Sequence, residues 1–533
     1  MEQYLRLRKR LFFAAVTSFL LILSFPLPNL WPVAWVALVP LLFAVERAGG
    51  EREAFFLGWA SGFLFYVISV AWLRHVTYFG WFFVSAVEGF YIGVFAWLAK
   101  ALMIRRPAGS FGNALLAVFL LPAFWVALEW FRTEVPPLEF GWNLLAYSQA
   151  SNVRIIQIAR LVGAYGVSFL IVLVNVVFYV WARAASLGRS RSGKGDGLRR
   201  HNLLLICVFC FLVLAVVYGS IRIGQPFEGP IVRATVVQGN IAQEDKWKLY
   251  LKGKIVDVHT KLSELAVYDN TDLIIWPEAA YPGYLLEEKE GLIVSNTAAK
   301  TRVPHLVGSI YRDTEGRYFN SAFLISSEGY PIMRYDKRIL VPFGEYVPLG
   351  CVFTFLKPIA ASLGISDFSK GENWTVFRLK LGAPYGVSAP TFSTLICFED
   401  TFPLLARRFV REGANFLVVI TNDAWFKRGG EPYQHLQPSQ FRAVENDVFV
   451  VRAANTGISC FISPTGRVIG RVRDKKGRDA FVSGKLTETV YVGNKPTFYQ
   501  ECGFLFPYFC IFSLIVYLAV LSFPRLLSLR GSR

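Results

Sequence analysis

Charge is what this sequence lacks most. Only 18% of its 533 residues are Asp, Glu, Lys or Arg, whereas a soluble protein typically has about 25%. The chain is 54% hydrophobic, with a mean hydropathy of +0.41. Acidic residues are the scarcer sign, which leaves a net charge of +18. Much of the basic excess lies in short patches beside apolar runs, so we read it as membrane flanks and expect no nucleic-acid partner.

Metal-binding and nucleotide-binding patterns are also missing. The seven cysteines and five histidines show no zinc-like spacing. Cys207 and Cys210 are spaced like a CxxC motif, but they lie inside the apolar run LLLICVFCFLVLAVVYGS, where membrane packing is the better interpretation. We therefore expect neither a metal nor a cofactor.

Long apolar runs dominate both ends of the chain. A membrane-spanning helix needs about 20 apolar residues, and most of these runs are that long. The first follows the basic segment Met1–Arg10 and could be read as a signal peptide, but the further runs favour a retained helix. The eight predicted spans are Leu11–Trp31, Trp31–Val45, Ala54–Leu73, Gly80–Ala99, Ser110–Leu128, Leu161–Trp181, Leu203–Ser220 and Phe504–Phe523.

The basic residues predict an orientation for these spans. They cluster at the N-terminus, in 100–106, in 183–201 and in the tail from Arg525, and with eight spans all four segments fall on one side. The positive-inside rule then places both termini in the cytoplasm. The predicted domains are a membrane domain at 1–220, an outer domain at 221–503, and a last span with its tail at 504–533. Ionisable residues are rare within the spans. Glu88 is the main one, and Glu129, at the end of a span, could be functional or could meet lipid headgroups.

The outer domain alternates between strand and helix patterns. VRATVVQ at 232–238 is typical of a strand, and 244–266 has helical periodicity. A hairpin is predicted from 321–326 and 331–335, and a helix at 433–446. This order favours a layered α/β fold.

One cysteine in this domain has an unusual neighbourhood. The apolar run Phe392–Ile396 leads to Cys397, and a helical pattern follows. Thr401 is predicted as its N-cap, Pro403 as a first-turn residue and Gly413 as its C′ residue. A lone cysteine is more often a buried structural residue. At a strand-to-helix elbow, however, we expect an exposed sulfur whose thiolate is favoured by the helix N–H groups.

Two other residues at predicted strand ends complement this thiol. Glu278 closes DLIIWPEAAYP, and Lys337 lies in RYDKRILVPFGEYVP. A thiol needs a base, and a carboxylate can serve; acyl transfer also creates an oxyanion that a cation can stabilise. Taken singly, Glu278 could cap a turn and Lys337 could be a solvated loop residue. None of the histidines offers a persuasive alternative, and each is expected to be solvated or packed: His75, His201, His259, His305 and His435.

Three motifs carry a resemblance. WPE, YDK followed by LVPFGEYVP, and CFED followed by TNDAWF resemble the carbon–nitrogen hydrolase (nitrilase) superfamily. With the membrane spans, nearly the whole chain resembles its apolipoprotein N-acyltransferase family. The resemblance implies an αββα sandwich on an eight-helix membrane domain. It also implies that Glu278 is the general base, Lys337 the stabiliser of the tetrahedral intermediate and Cys397 the nucleophile.

The same resemblance implies supporting residues. Glu345 and Glu399 match further active-site positions, although Glu345 alone could pair with an arginine. Trp247 and Trp425 match aromatic positions linked to substrate handling, although Trp425 alone could equally be a core residue. Phe398 stands where many relatives have tyrosine, which puts a hydroxyl role there in doubt.

The family implies a two-step acyl transfer at a bacterial inner membrane, with the catalytic domain in the periplasm. A phospholipid donates its acyl chain to Cys397, and the α-amino group of a diacylglyceryl-cysteine at an apolipoprotein N-terminus accepts it. We expect a monomer whose partners are these two substrates and the bilayer. One rival is a membrane-tethered nitrilase-like amidohydrolase that releases acid to water. The other is a channel or transporter, which should carry more intramembrane ionisable residues or inverted repeats.

Overall fold

The computed structural model describes residues 2–104, 111–136, 139–190, 195–342, 344–346, 367–380, 389–493 and 495–530. The described chain forms two compact units. One contains residues 1–135, 139–223 and 501–533, and the other contains 224–500 together with 136–138. Some residues of the segments used above lie outside the described ranges. They are Met1, residues 105–106 and 191–194 of the basic loops, Ser110 of the fifth predicted span, three residues of LVPFGEYVP (Phe343, Val347 and Pro348), the cysteine Cys351, and 531–533 of the tail.

The first unit is helical. Five of its described helices are long and apolar enough to cross a membrane: Tyr78–Met103, Phe111–Glu134, Ile155–Ser186, Leu198–Ile223 and Gly503–Val520. Its helices are α1 (Glu2–Ser24), α2 (Val39–Arg47), α3 (Glu51–Ser69), α4 (Tyr78–Ile104), α5 (Phe111–Glu134), α6 (Ala159–Ser190), α7 (Gly195–Ile223) and the C-terminal helix Phe506–Arg530.

The prediction of a spanning helix at Trp31–Val45 is wrong. That segment is a short 3₁₀ helix, Trp31–Trp35, followed by α2. The nine residues of α2 extend only about 14 Å at 1.5 Å per residue, which is too short to cross a bilayer. The first predicted span falls on α1, which starts at Glu2 and includes the basic residues that were taken as a flank. The third predicted span falls on α3, and neither helix is among those five.

Helices α3 and α4 cross very closely because glycines line their contact. A Cβ atom on Gly62 would lie 2.8 Å from the Cα of Gly89, and one on Gly58 would lie 2.5 Å from the Cβ of Ala96. Side chains on either glycine would push the backbones apart. Small residues four apart are the usual means of close helix approach in membranes.

The second unit is a sandwich of two six-stranded sheets. The first sheet has the order β12-β1-β2-β3-β4-β5 and the second has the order β11-β10-β9-β8-β7-β6. In each sheet a parallel core is extended by antiparallel strands. The strands are β1 (Ile231–Gln238), β2 (Leu273–Ile275), β3 (His305–Arg312), β4 (Tyr318–Ile325), β5 (Pro331–Asp336), β6 (Phe377–Arg378), β7 (Thr391–Ile396), β8 (Phe416–Thr421), β9 (Val450–Ala454), β10 (Cys460–Ile462), β11 (Val468–Arg471) and β12 (Gly484–Tyr491).

Helices cover the outer faces of both sheets and complete the αββα layering. The apolar faces of α9 and α10 form a buried cluster with the first sheet, in which Val256, Val294 and Trp276 are fully buried. The helices of this unit are α8 (Gln243–Lys246), α9 (Lys252–Ala266), α10 (Gly291–Thr301), α11 (Pro403–Arg411), α12 (Glu431–Asn446) and α13 (Phe498–Glu501).

The outer-domain elements agree well with the sequence. The strand at 232–238, the hairpin of β4 and β5 and the helix ending at Asn446 are confirmed. The single helix predicted at 244–266 is interrupted between Lys246 and Lys252. Its first turn is bonded to the loop after β8, since the Gln243 side chain accepts a hydrogen bond from Asn422.

Candidate active site

Cys397 lies directly after β7, at the start of the 3₁₀ helix Cys397–Thr401. Its φ of 55° is in the left-handed region, which turns the chain sharply out of the sheet. The predicted N-cap is wrong: Phe402 takes that position, and the Thr401 hydroxyl donates to the carbonyl of Phe398 instead. Pro403 does open the following helix. The predicted elbow is therefore present, with one extra turn between the cysteine and the helix.

Cys397 is half-buried, which agrees only in part with the expectation of an exposed sulfur. Burial raises its pKa to about 12, and the negative charge of Glu278 adds to this, while Lys337 and His435 oppose it. The expectation of a favoured thiolate is wrong, because the loss of hydration outweighs the N–H groups of a single short turn. The resting thiol is protonated at neutral pH, so it needs a base in order to act as a nucleophile.

Glu278 and Lys337 both act electrostatically on this thiol. Glu278 follows β2 and Lys337 follows β5, so both lie at strand ends of the first sheet, whereas Cys397 leaves the second. Both are buried, at 8% and 1% exposure. The Lys337 Nζ atom is 3.7 Å from Oε1 of Glu278. The fold thus brings together three residues that are more than 50 positions apart in the chain.

Glu345 completes an ion-pair cluster around Lys337. Its two carboxylate oxygens are 3.0 and 2.9 Å from the Lys337 Nζ atom. Burial alone would lower the pKa of Lys337, but the charges of Glu345 and Glu278 outweigh it and raise that pKa well above its usual value. Lys337 is therefore a permanent cation, as oxyanion stabilisation requires.

Asn320 was missed by the sequence analysis. Its Nδ2 atom donates to Oε1 of Glu278 at 2.7 Å and to Oε1 of Glu345 at 2.8 Å. The carbonyl of Asn320 also accepts from the backbone N–H of Lys337 at 2.9 Å. This one residue on β4 therefore spaces the two carboxylates. Its only sequence signal is an asparagine in an otherwise apolar strand.

Glu399 connects the nucleophile segment to the lysine segment. Its Oε2 accepts from the backbone N–H of Ile396 at 2.7 Å, and its Oε1 accepts from the N–H of Arg338 at 2.7 Å. The Tyr335 hydroxyl donates to the same carboxylate at 2.8 Å. Glu399 is fully buried, so its contacts fix the residues next to Cys397 and Lys337 relative to each other.

The three aromatic candidates fall into two groups. Trp247 and Trp425 are about half exposed, at 47% and 48%, so neither is a core residue and both are free to meet a substrate. Phe398 is 6% exposed and packs edge-on against Phe402 with ring centroids 5.1 Å apart. We therefore read Phe398 as a packing residue of the elbow.

His435 is buried within a charged cluster beside the nucleophile, and it was expected only to be solvated or packed. Its Nδ1 atom is 3.1 Å from Asp423, its Nε2 atom is 3.2 Å from Asp400, and Nε2 is 3.4 Å from the Cys397 carbonyl oxygen. Burial and Arg452 lower the pKa of His435, but Asp400 and Asp423 raise it well above its ordinary value. His435 is thus a fixed imidazolium behind Cys397.

The same cluster has the composition of a metal site but not its charge. Donor atoms of Asp423, Glu431 and His435 lie within 4.8 Å of one another. The guanidinium of Arg452, however, is 2.9 Å from Asp400 and 3.6 Å from Asp423. Burial and the charge of Asp423 raise the pKa of Glu431 to about 8, so this third acid is neutral near pH 7. The two cations, His435 and Arg452, then balance the two aspartates, which disfavours a metal ion there.

Comparison with known proteins agrees with this architecture. Residues 233–481 match the family model described as Carbon-nitrogen hydrolase, and residues 17–177 match the model described as Apolipoprotein N-acyltransferase N-terminal domain. Among solved structures, Nit3 of Saccharomyces cerevisiae, a member of branch 10 of the nitrilase superfamily, is 18% identical with a TM-score of 0.36, over 49% of this chain and 90% of that one. By the two family models, the protein is a carbon–nitrogen hydrolase superfamily member that also has the apolar helices of a multi-pass membrane protein.

Whole-chain relatives narrow this class. A protein of Geobacter metallireducens named apolipoprotein N-acyltransferase is 35% identical over 528 residues, which cover 97% of this chain and 96% of the relative. One of the same name from Chlorobaculum tepidum is 29% identical over 95% of both chains. This chain belongs to the apolipoprotein N-acyltransferase family.

Proposed function

We propose that this protein is an apolipoprotein N-acyltransferase that works through a thioester on Cys397. The observation that carries the proposal is the convergence of Glu278, Lys337 and Glu345 beside the Cys397 thiol, with the Lys337 Nζ atom 3.7 Å from Glu278 and 2.9 Å from Glu345. The same chain has five described helices that are long and apolar enough to cross a membrane. A soluble amidase would not need those helices. Acyl chains are costly to extract from a bilayer, at about 0.8 kcal/mol per CH₂ group.

In the first step, the Glu278 carboxylate takes the thiol proton and the sulfur attacks the ester carbonyl of a phospholipid. The resulting oxyanion lies beside the Lys337 ammonium. The intermediate then collapses to the Cys397 thioester, and the lysophospholipid leaves as its alcohol with the proton from Glu278. Through the contacts described above, Asn320 and Glu345 hold the side chains of Glu278 and Lys337 in position relative to each other.

In the second step, the α-amino group of a diacylglyceryl-cysteine attacks the thioester carbonyl. Glu278 accepts the proton that the amine loses, an amide bond forms, and the sulfur leaves as a thiolate that regains the proton from Glu278. Water competes with the amine for the thioester, so a site that excludes water limits hydrolysis of the acyl-enzyme. We propose that the 3₁₀ helix Trp31–Trp35 and α2 cross the membrane together, which restores the eight crossings that put both termini in the cytoplasm and the α/β unit in the periplasm. We also propose that the enzyme is a monomer of the bacterial inner membrane.

Mass spectrometry of the full-length protein in phospholipid nanodiscs tests the proposal. We expect an acyl adduct on the Cys397 peptide that hydroxylamine removes, because thioesters are cleaved by it. Cys397→Ala should lack the adduct. Cys460→Ala should retain it, since Cys460 is a buried thiol that also has a raised pKa, of about 11, and it is our matched control.

Addition of a diacylated lipopeptide with a free amine then separates the two enzyme classes. A transferase should move the acyl chain onto the peptide amine as the adduct disappears. Release of free fatty acid with no change in peptide mass would instead support the amidohydrolase. No adduct on Cys397 in any lipid would refute the proposed nucleophile.

A further inference from the structure

A second buried lysine contacts the backbone of the proposed base. Lys246 is the last residue of α8 and is 2% exposed. Its Nζ atom donates to the backbone carbonyl oxygen of Glu278 at 2.9 Å. No pattern in the sequence singles out Lys246, although it directly precedes the candidate Trp247.

Hydrogen bonds to loops of the second sheet fix the position of the segment that precedes Lys246. Asn455 accepts from the N–H of Ile241 at 2.9 Å and donates to its carbonyl at 2.7 Å. Asn422 donates to the Gln243 side chain at 2.8 Å. The segment before Lys246 is therefore anchored to loops of the sheet that carries Cys397, while Lys246 itself contacts the segment that carries Glu278.

An ammonium group this deep needs compensation. A carbonyl dipole alone does not offset the cost of burying a charge. Lys337 faces two carboxylates, those of Glu278 and Glu345, and so leaves one negative charge unbalanced. Both Glu278 and Cys397 interact electrostatically with Lys246, which identifies it as the second cation of the site.

We propose that Lys246 is a positioning residue for acyl transfer: its ammonium holds the Glu278 segment and stabilises the negative charge that forms on the Cys397 sulfur when Glu278 takes its proton. The inference rests on the roles of Cys397 and Glu278 in the proposed function. Lys246 does not contact the reacting atoms, so its influence is exerted through these two residues.

The charge of Lys246 is itself sensitive to pH. Burial lowers its pKa to about 8, against the opposing effects of Glu278 and Cys397. The other titratable group that faces it is His259 on α9, whose pKa is lowered by burial to about 4 and which is therefore neutral near pH 8. Above about pH 8 the site should thus lose a positive charge, and thiolate formation should become harder.

Alkylation of Cys397 by iodoacetamide measures thiolate formation directly, because only the thiolate displaces iodide. The rate is followed on the full-length protein by mass spectrometry of the Cys397 peptide across about pH 6 to 10. We expect Lys246→Met to lower it about tenfold near neutral pH, the equivalent of one pKa unit. Lys246→Arg should restore most of the rate. Lys252→Met is the matched control, since Lys252 is buried but pairs with Glu288 at 2.6 Å, and it should match the wild type.

The shape of the pH profile separates a charge effect from a structural one. In the wild type, the logarithm of the rate should rise less steeply above about pH 8, where Lys246 loses its proton. This bend should be absent in Lys246→Arg, whose guanidinium keeps its charge. A bend that persists in Lys246→Arg, or a wild-type rate in Lys246→Met, would overturn the proposal. If Lys246→Met does not fold, the Lys246→Arg profile decides alone. Alkylation needs neither donor nor acceptor, so a wrong substrate assignment cannot produce either result.

Discussion

The helical unit buries Glu88 and Glu129 near Arg132, and the α/β unit places the buried Glu278 and the half-buried Glu345 near Lys337. In each unit, two carboxylates thus lie close to one central cation. In the helical unit, the donors of Arg132 go to Glu88 at 2.7 Å and to three backbone carbonyls of the loop after α5, those of Phe140, Trp142 and Asn143.

Glu129 serves the same loop, since it accepts from the backbone N–H of Leu145 at 2.7 Å. The helical cluster therefore satisfies backbone groups that have no water to bond to. In the α/β unit, the cluster surrounds a thiol and leaves its carboxylates and ammonium available for a reaction. The same charge pattern stabilises a loop in one unit and supports chemistry in the other. Substitutions should therefore divide into those that affect stability and those that affect activity.

The largest effect is expected for Arg132→Met. Removing one partner of a buried ion pair leaves Glu88 uncompensated, which typically costs about 3–5 kcal/mol of stability. The melting temperature in detergent should fall sharply. Arg317→Met is the control: it breaks a surface pair with Asp313, and solvent-screened pairs of this kind contribute little to stability. Equal melting temperatures for the two variants would show that the Arg132 cluster does not hold the fold.

Lys337→Met should have the opposite profile. Loss of the cation beside the oxyanion should slow formation of the Cys397 acyl-enzyme about 100- to 1,000-fold. The melting temperature should fall less than in Arg132→Met, because Glu345 is only half-buried and both carboxylates keep their hydrogen bond from Asn320. Among the described residues, the Lys337 side chain also bonds to no backbone carbonyl. Single-turnover mass spectrometry gives the rate. A large loss of stability with an unchanged acylation rate would contradict the view that the Lys337 cluster supports chemistry rather than stability.

Asn320→Ala should give an intermediate effect. It removes the donor shared by Glu278 and Glu345 and leaves one buried and one half-buried acceptor with one partner fewer, at a cost of about 1–3 kcal/mol. Acyl-enzyme formation should slow about 10- to 100-fold. Ser321→Ala, which removes a neighbouring hydrogen bond to Asp336 on the same strand, should leave the acylation rate near that of the wild type. If both variants are equally slow, the loss of rate comes from a disturbance of strand β4 rather than from the loss of the Asn320 hydrogen bonds to Glu278 and Glu345.

The smallest expected effect is a change in the pH dependence of stability in His435→Gln. The folded pKa of His435 lies above its unfolded value of about 6.5. The stabilisation is therefore complete below about pH 6.5 and is lost as pH rises toward the folded pKa, by at most about 1.4 kcal/mol per pH unit. Between about pH 6 and pH 9, the melting temperature should thus fall more steeply with rising pH for the wild type than for the variant. Parallel curves would mean that His435 is neutral.

Local patterns were enough to predict much of this protein. Apolar runs long enough to span a membrane identify the helical unit, and strand patterns that end in Glu278, Lys337 and Cys397 identify candidates for the site. Their roles, however, came from long motifs that resemble a family. Patterning failed at Trp31–Val45, since hydrophobicity alone does not reveal that its helix has only nine residues.

Hydrophobic periodicity and turn residues act over a few positions, so the sequence by itself determined the two units, most of their elements and the candidate for the nucleophile. Only the tertiary structure decided the electrostatics of the site. Desolvation and Glu278 raise the pKa of the Cys397 thiol, and Asp400 and Asp423, which come from separate elements, raise that of His435. Asn320 and Lys246 meet Glu278 across 42 and 32 residues of chain. Desolvation and pairing depend on which distant segments the fold packs together, and no local pattern encodes that.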